Sequence, residues 1–420
     1  MSAAVIEPHP ALLGPFAILL FSIAIFPLIL RHHWERHYPK LCALLAGTTC
    51  SYYVFVLNGA ARVQHAAGEH ATFIIVVGAF FVVAGAIHLR IPRPASPLAN
   101  VALLFGGSIL ANFIGTIGAS MLLLRPFLRM NRGRANAMHV AFFIFTIGNL
   151  GGALLPVGPP LFLGYIKGVP FFWTALHCWP QWLTATGALL VIFFVADTIA
   201  CSREPAVEVP STHFHCYGKW NFGAFLALLL ALVFVPNGIR ESLMLIIAVV
   251  SYFFTPRRVF EANEFSWRPL IEVAWIFLGI FGTMIPVLDY AELHASDFHL
   301  VSDARFYWST GLLSGVLDNA PTYLTFLTAA LSLDHFDINR LPDVAEFASG
   351  HGSRLAAISV AATFFGGLTY IREQSESADF ARSRNRATCR RRDFSLILLG
   401  TLLPILIPIL GLVGLIFFRG

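Results

Sequence analysis

The chain has 420 residues, of which 57% are apolar and only 12% are charged, and its mean hydropathy is +0.72. Soluble globular proteins carry about 25% charged residues, so this composition excludes a soluble enzyme and a disordered chain. Six Cys residues without a Cys-x-x-Cys pair argue against a disulfide framework or a zinc module. The Lys and Arg residues behind the net charge of +5 lie in short loops between apolar runs, which favours membrane orientation over nucleic-acid binding.

Ten apolar runs are candidates for helices that cross a bilayer, which takes about 20 mostly apolar residues. In chain order they lie at about 11–30, 41–57, 72–89, 137–166, 171–200, 221–235, 239–254, 270–287, 353–371 and 393–417. We expect the first run to be a first transmembrane helix and not a signal peptide, because a basic segment follows it and none precedes it. The pattern predicts an all-α polytopic membrane protein with about ten spanning helices.

Two further stretches, at about 98–124 and 305–331, are apolar but rich in Gly, Ser, Thr and Asn. We interpret each as a re-entrant hairpin that enters the membrane and returns to the same side. With two such hairpins, 21 of the 28 Lys and Arg residues fall in loops on one side. The positive-inside rule assigns that side to the cytoplasm, which predicts a multi-pass protein of the cell (inner) membrane with its N-terminus outside.

Two pairs of segments with similar sequences indicate an internal duplication. GSILANFIGT at 107–116 resembles SGVLDNAPTYL at 314–324, and the Gly-Gly pair at 151–152 resembles the pair at 366–367, at offsets of 207 and 215 residues. Because the two hairpins open on opposite sides, the repeats are inverted, as in many secondary transporters. The predicted division is 1–70 for N-terminal transmembrane helices, 72–200 for the first inverted repeat, 201–255 for a connecting loop and linking helices, and 270–417 for the second inverted repeat.

Each predicted repeat contains a re-entrant helical hairpin and a broken transmembrane helix. Gly, Pro and Asn interrupt a helix, and each unpaired backbone polar group costs several kcal/mol in hydrocarbon. Interrupted backbone is therefore tolerated where it is buried in protein or lines a cavity, and it presents helix ends and carbonyls to ligands. We expect the four interrupted segments to meet near the membrane midplane and to form the binding site.

Asp318 is the ionisable residue predicted to lie deepest, about a dozen residues from either polar flank of its apolar stretch. A carboxylate at that depth is a functional hypothesis by default. Together with Asn319 and Thr322 it would bind Na⁺ or a proton; the alternative is a helix cap before Pro321. The other carboxylates of the apolar runs are expected near an interface: Asp197, Glu241, Glu272 and Asp289.

In the first half, Asn112, Thr116 and Asn149 are the candidate ligands for the transported ion or substrate. The alternative for these residues is small-residue helix packing. The chain contains no Walker, HExxH or GxSxG motif, so we predict neither an ATPase nor another enzyme, with no catalytic residue and no cofactor beyond transported Na⁺ and H⁺.

These strings resemble the ion-transporter superfamily of sodium/proton antiporters, citrate and dicarboxylate transporters and arsenite permeases. The similarity is greatest to its citrate-transporter-like branch, and it rests on IGTIGASMLLLRP (114–126), NLGGALLPVGPPLFLGYIKGVPFFW (149–173) and SGVLDNAPTYLTF (314–326). The resemblance implies two inverted repeats, a homodimer and elevator-like alternating access. It also implies that six residues lie at hairpin tips and helix breaks: Asn112, Thr116, Asn149, Asp318, Asn319 and Thr322.

Two segments depart from that family's pattern. The family reads Pro-x-Gly-Asp-Pro-Pro where Gly158 is here followed directly by Pro159, so an acidic residue is missing. After Ile371 an Arg-rich segment, 372–392, replaces Gly-Asn-x-Pro-Asn. This segment is either a local reading-frame error or a genuine divergence that would affect the activity of this copy.

The leading functional prediction is a sodium/proton antiporter that works by alternating access. The alternatives are a proton- or sodium-coupled symporter for citrate or another carboxylate, an arsenite or anion permease, and a membrane scaffold without transport. No Lys or Arg is expected deep in the bundle to offset a tricarboxylate, which favours the cation. The expected partners are the lipid bilayer, a second copy of the chain, and small ions or a carboxylate, but no nucleic acid.

Overall fold

The computed structural model describes residues 6–90, 96–132, 134–201, 215–368 and 391–419, and these are mostly helical. The helices are α1 (Leu13–Ile29), α2 (Arg31–Phe55), α3 (Ala60–Gly85), α4 (Pro97–Met130), α5 (Ala137–Phe143), α6 (Pro159–Lys167), α7 (Trp173–Cys201), α8 (Asn221–Phe234), α9 (Ile239–Phe254), α10 (Arg257–Ala262), α11 (Arg268–Leu293), α12 (Asp303–Val316), α13 (Asn319–Leu333), α14 (Leu341–Gly350), α15 (Gly352–Phe365) and α16 (Arg391–Phe417). Strand β1 (His88–Arg90) pairs antiparallel with β2 (His215–Tyr217). This architecture confirms the all-α prediction.

Within the described residues, five helical segments are long and apolar enough to cross a membrane. They are Pro10–Pro27 and the helices α3, α4, α7 and α11. Four shorter apolar segments accompany them: Ala137–Gly152, Asn221–Phe234, Gly352–Phe365 and Pro404–Phe417. The chain is therefore a multi-pass membrane protein, and two of its short apolar segments, Ala137–Gly152 and Gly352–Phe365, lie where broken helices were predicted.

The first predicted hairpin is α4, which folds back on itself at Gly115. This residue has φ 76° and ψ 157°, a conformation that L side chains avoid and glycine adopts freely. Asn100 and Asn131, near the two ends of α4, exchange side-chain hydrogen bonds of 2.8 and 2.9 Å. A straight helix rises about 1.5 Å per residue and would hold them more than about 40 Å apart, so α4 is a re-entrant hairpin.

The second hairpin consists of α12 and α13, with an extended tip at Leu317 and Asp318. At its open end, the guanidinium of Arg354 bridges the two arms. Arg354 lies 3.7 Å from a carboxylate oxygen of Asp303, at the start of α12, and 2.6 Å from one of Asp334, just after α13. The two arms therefore run antiparallel, as the sequence predicts.

The hairpins open on opposite faces of the molecule because α3 and α11 are antiparallel. Arg62, near the start of α3, lies 3.0 Å from Asp289, near the end of α11. At the other face, Asn263, just before α11, donates to the carbonyls of Gly85 and Ile87 at the end of α3. The first hairpin follows the end of α3 and the second follows the end of α11. We call the face with Asn263 the basic face and the face with Arg62 the opposite face.

All described helices except α10 are assigned to two groups. The first, which we call the frame, consists of α3 and α11 with the pairs α1–α2 and α8–α9 packed against them. Aromatic stacking joins its centre, with the rings of Phe73 and Phe277 4.3 Å apart. The second group, the hairpin bundle, consists of α4 to α7 and α12 to α16, and it includes all the interrupted segments predicted to bind the transported species.

Candidate functional site

The first broken helix is interrupted over about fifteen buried residues. Helix α5 passes into a π-helical turn, Ile144–Asn149, and a 3₁₀ turn, Leu150–Gly152, before irregular backbone leads to α6. Pro159 begins α6, where its missing N–H and fixed φ suit the first helical position. Turns of the π type are frequent at functional sites, and this one exposes backbone groups inside the hairpin bundle.

The tip of the first hairpin is bonded to this break. The side-chain oxygen of Asn112 accepts a hydrogen bond of 2.8 Å from the backbone N–H of Leu154, while its amide donates to the carbonyl of Ser108 at 3.0 Å. The methyl group of Thr116 lies so close to Gly152 that a Cβ there would be 2.6 Å away. The glycine therefore allows the hairpin tip to sit directly on the broken backbone.

The tip of the second hairpin meets the Gly-Gly pair at the end of α15 in the same way. Asn319 occupies the space that a Cβ on Gly366 would need. Its side-chain oxygen lies 3.1 Å from the hydroxyl of Ser314, which donates to the carbonyl of Ala362 at 2.7 Å. The two Gly-Gly pairs thus have one physical role, which is to admit a polar hairpin tip.

Asn149 joins the two halves. Its amide donates to the carbonyl of Phe364 at 3.0 Å, and it packs against Gly367. The structure therefore brings the two hairpin tips, the first broken helix and the end of α15 together around buried amides. Residues 369–390, which include most of the divergent segment at 372–392, lie outside the described residues, so the prediction for that segment stays a prediction.

Asp318 stands at the start of α13 in the N-cap position, with extended backbone (φ −81°, ψ 147°). Its side chain makes no capping hydrogen bond of standard geometry, although its carboxylate faces the N–H groups of Asn319 and Ala320. Thr322 donates its hydroxyl proton to the carbonyl of Asp318 at 2.8 Å, which leaves the hydroxyl oxygen as an acceptor. The cap alternative thus describes the position of Asp318 but leaves its carboxylate available.

The surroundings of Asp318 limit what the site can bind. Within the described residues, no cluster of three or more His, Cys, Asp or Glu side chains is able to hold a metal. A cation at Asp318 would have this one carboxylate, with hydroxyl, amide and carbonyl oxygens as its other ligands. Such oxygen-rich, weakly charged surroundings suit a monovalent cation or a proton better than a tightly bound divalent ion.

Sequence reasoning missed a buried polar cluster at the open end of the first hairpin. Asp197 was expected near an interface, but its side chain is fully buried. It accepts hydrogen bonds from Asn100 at 2.8 Å and pairs with Arg134 and with His139, whose Nε2 lies 3.1 Å away. Asp289 is buried likewise, against Arg62. These contacts fix the ends of helices and do not reach the hairpin tips.

Two cations at helix ends have buried side chains, which the sequence did not predict. The side chains of Lys167 and Arg240 are 5% and 2% exposed. Each is neutralised by a carboxylate, because Lys167 Nζ lies 2.8 Å from Glu69 and Arg240 lies 2.6 Å from Glu241. Neither cation is therefore free to offset the charge of an anionic substrate.

The chain has a counterpart among protein families. From residue 8 to residue 418 the chain matches a family described as "Putative citrate transport". The chain belongs to this family. The match extends over both hairpins, both Gly-Gly pairs and Asp318, and it confirms the resemblance to citrate-transporter-like ion transporters. A comparison with curated proteins gives no match.

Membership in the citrate-transport family makes this chain a transporter of citrate or ions in general terms. The six predicted site residues all lie in the segments that meet at the hairpin tips: Asn112, Thr116, Asn149, Asp318, Asn319 and Thr322. Four of them make contacts that join these segments: Asn112, Thr116, Asn149 and Asn319. Binding of an ion or substrate by these residues stays a prediction.

Proposed function

We propose that the chain is a sodium/proton antiporter of the cell (inner) membrane in which Asp318 binds the coupling cation. The observation that carries this proposal is the carboxylate at a hairpin tip without a cationic partner. Among the described residues, no Lys, Arg or His forms an ion pair with it, unlike Asp197, Glu69 and Asp289. Asp318 is half-buried, and a carboxylate at membrane depth without a counter-ion is stabilised when it holds a proton or a cation.

Competition at this one carboxylate supplies the coupling. Protonated Asp318 is neutral, and ionised Asp318 with Na⁺ is neutral as well, so either form crosses the membrane without an uncompensated charge. The empty ionised form carries a net charge and is the least favourable to move. Exchange of Na⁺ for H⁺ therefore follows from the electrostatic cost of an ionised carboxylate inside the membrane, which also makes such residues rare there.

Alternating access would come from movement of the hairpin bundle against the frame. Some contacts between these groups are apolar, such as Phe162 on Phe73 and Gly118 on Ala84, and sliding at these contacts breaks no polar bond. The basic face would lie in the cytoplasm and the N-terminus outside. A homodimer, as the family resemblance implies, would hold the frame still in the bilayer.

A second candidate is cation-coupled citrate symport, which the family's description favours. Two helices begin inside the bundle, α6 at Pro159 and α13 at Asn319, and helix N-termini attract anions. The amide of Asn149 would add a hydrogen-bond donor. Because Lys167 and Arg240 are already paired with carboxylates, a tricarboxylate would need co-transported cations to offset its charge.

Proton flux in everted membrane vesicles separates the two candidates. Respiring vesicles that contain the protein are loaded with a pH-sensitive dye, and Na⁺, Li⁺ and citrate are added separately. Dissipation of the proton gradient by Na⁺ or Li⁺, absent from vesicles without the protein, is the result expected for the antiporter. A response to citrate alone would establish a proton-coupled symporter instead, and no response to any of the three would contradict both the antiporter and the proton-coupled symporter.

A test variant and its matched control each replace one carboxylate by an amide. Asp318→Asn removes the proposed coupling group with almost no change in volume, and Glu346→Gln makes the same change on the exposed surface of α14. We expect the second variant to retain the flux of the unmodified protein. Equal loss of flux in both variants would show that the assay reports on something other than Asp318.

A further inference from the structure

A buried ion pair joins the first broken helix to the frame. Lys167 is the last residue of α6, and its Nζ lies 2.8 Å from Oε1 of Glu69 on α3, with the two side chains only 5% and 11% exposed. The same carboxylate oxygen lies 3.0 Å from Nε2 of His65, one turn earlier on α3, and His65 is 58% exposed. Glu69 is thus shared between a partner on its own helix and a partner on the broken helix.

The surroundings show how Lys167 would leave Glu69. A cavity of about 660 Å³ opens beside α3, α6 and the α8–α9 connection, and His65 and Glu69 line it. Water therefore reaches the carboxylate without any rearrangement of the frame. On α11, Asp289 and Glu292 lie within electrostatic range of Lys167. Both ions of the pair therefore have other partners nearby when they separate.

The remaining contacts of α6 with the frame are weaker or apolar. Tyr165 donates to the carbonyl of Leu232 at 2.7 Å, and the guanidinium of Arg240 lies 5.6 Å from the ring of Tyr165. Phe162 packs on Phe73 with 6.1 Å between the ring centres. Removing one partner of a buried ion pair leaves an uncompensated charge, so the Lys167–Glu69 pair is the contact whose loss most alters the position of α6.

A different ion pair joins the hairpin bundle to the basic face. Arg125 in the second arm of the first hairpin lies 3.2 Å from Glu264, whose side chain is 53% exposed. Exposed pairs contribute little because water screens them. Arg125 also donates to the carbonyl of Ala262 at 2.8 Å. Of the two ion pairs, the buried one lies on the opposite face.

We propose that Lys167 and Glu69 are positioning residues for transport: their ion pair holds α6, and the helix break before it, in the conformation seen here. Movement of the bundle requires Lys167 to leave, and Glu69 then keeps His65 and cavity water as partners. This inference rests on the proposed transport function, since only a protein that alternates between conformations needs such a link.

Cysteine labelling tests the link without any transport measurement. Thr72→Cys, which lines the cavity, is introduced into full-length protein whose native Cys residues are replaced, and maleimide labelling is timed without substrate. We expect Lys167→Met and Glu69→Gln each to speed labelling at least threefold, because α6 separates more often from α3. Lys219→Met, on the exposed basic face, is the matched control and should leave the labelling rate within about 1.5-fold.

A double variant that exchanges the two charges tests the ion pair even if a single variant folds poorly. The double variant with Glu69→Lys and Lys167→Glu restores an ion pair and should bring labelling back to within twofold of the parent. Labelling rates equal to the parent in both single variants would overturn the proposal, as would a folded double variant that labels as fast as they do. If the unmodified protein shows no flux in everted vesicles while the variants give this labelling pattern, the proposed function is refuted and the ion-pair link is retained.

Discussion

Gly366 gives a sharp prediction about the site because its neighbour is a hairpin tip. The atoms of the Asn319 side chain occupy the volume into which a Cβ at position 366 would project. Gly366→Ala therefore forces Asn319 out of place and separates it from Ser314. Asp318 and the hairpin are left chemically unchanged, so the variant tests the geometry of the tip by itself.

The expected magnitude follows from two costs. Overpacking of a tightly packed interior typically costs about 1–3 kcal/mol, and a lost hydrogen bond costs about 1 kcal/mol more. A disturbance of about 2 kcal/mol at the tip corresponds to roughly 30-fold weaker binding of the transported cation, since about 1.4 kcal/mol is tenfold. The measurement is the Na⁺ concentration that gives half-maximal flux in everted vesicles.

The matched control is Gly411→Ala in α16, where a Cβ would have no neighbour within 4 Å. Alanine is favoured over glycine in a helix, so this variant should keep the flux and thermal stability of the parent. A Gly366→Ala protein with unaltered half-maximal Na⁺ concentration and unaltered melting temperature would refute the contact between Asn319 and the end of α15.

Two further variants test the contacts that hold the bundle together. Asn149→Ala leaves the carbonyl of Phe364 without its donor, so the free energy of unfolding should fall by about 1–3 kcal/mol in denaturant titrations in detergent; a change below about 0.5 kcal/mol would contradict that link. Asp197→Ala removes the carboxylate shared by Arg134 and His139, and loss of a buried ion partner costs about 3–5 kcal/mol. That variant should melt well below a Glu346→Gln control, and equal melting temperatures would show that the cluster contributes no stability.

The hairpins and broken helices could be predicted from the sequence because their segments are both apolar and rich in residues that interrupt helices. Stretches such as 98–124 are apolar enough for a bilayer yet rich in residues that interrupt helices, and only burial within protein satisfies both. The sequence did not show which glycine forms the turn of the first hairpin. Gly106, Gly107, Gly115 and Gly118 all lie in α4, and only the fold shows that Gly115 has a positive φ.

The ion pairs could not be predicted because each depends on contacts between distant parts of the chain. Glu69 and Lys167 are 98 positions apart, and the predicted span that begins at about 72 excluded Glu69, whereas α3 begins at Ala60. Asp197 lies near the end of an apolar run, where a solvated carboxylate is the usual expectation. Its burial follows from the folding back of α4, which brings Asn100 and Asn131 to the same place.

Cation binding by Asp318 is the central claim, and thermal stability tests it most directly. Purified protein and its Asp318→Asn variant are melted in detergent at rising concentrations of NaCl, with choline chloride at equal ionic strength as the reference. A ligand at about 100 times its Kd stabilises the folded state by about 2.7 kcal/mol, so Na⁺ should raise the melting temperature of the parent by several degrees and leave that of the variant unchanged. An equal rise in both proteins would contradict the claim that Asp318 holds the transported cation.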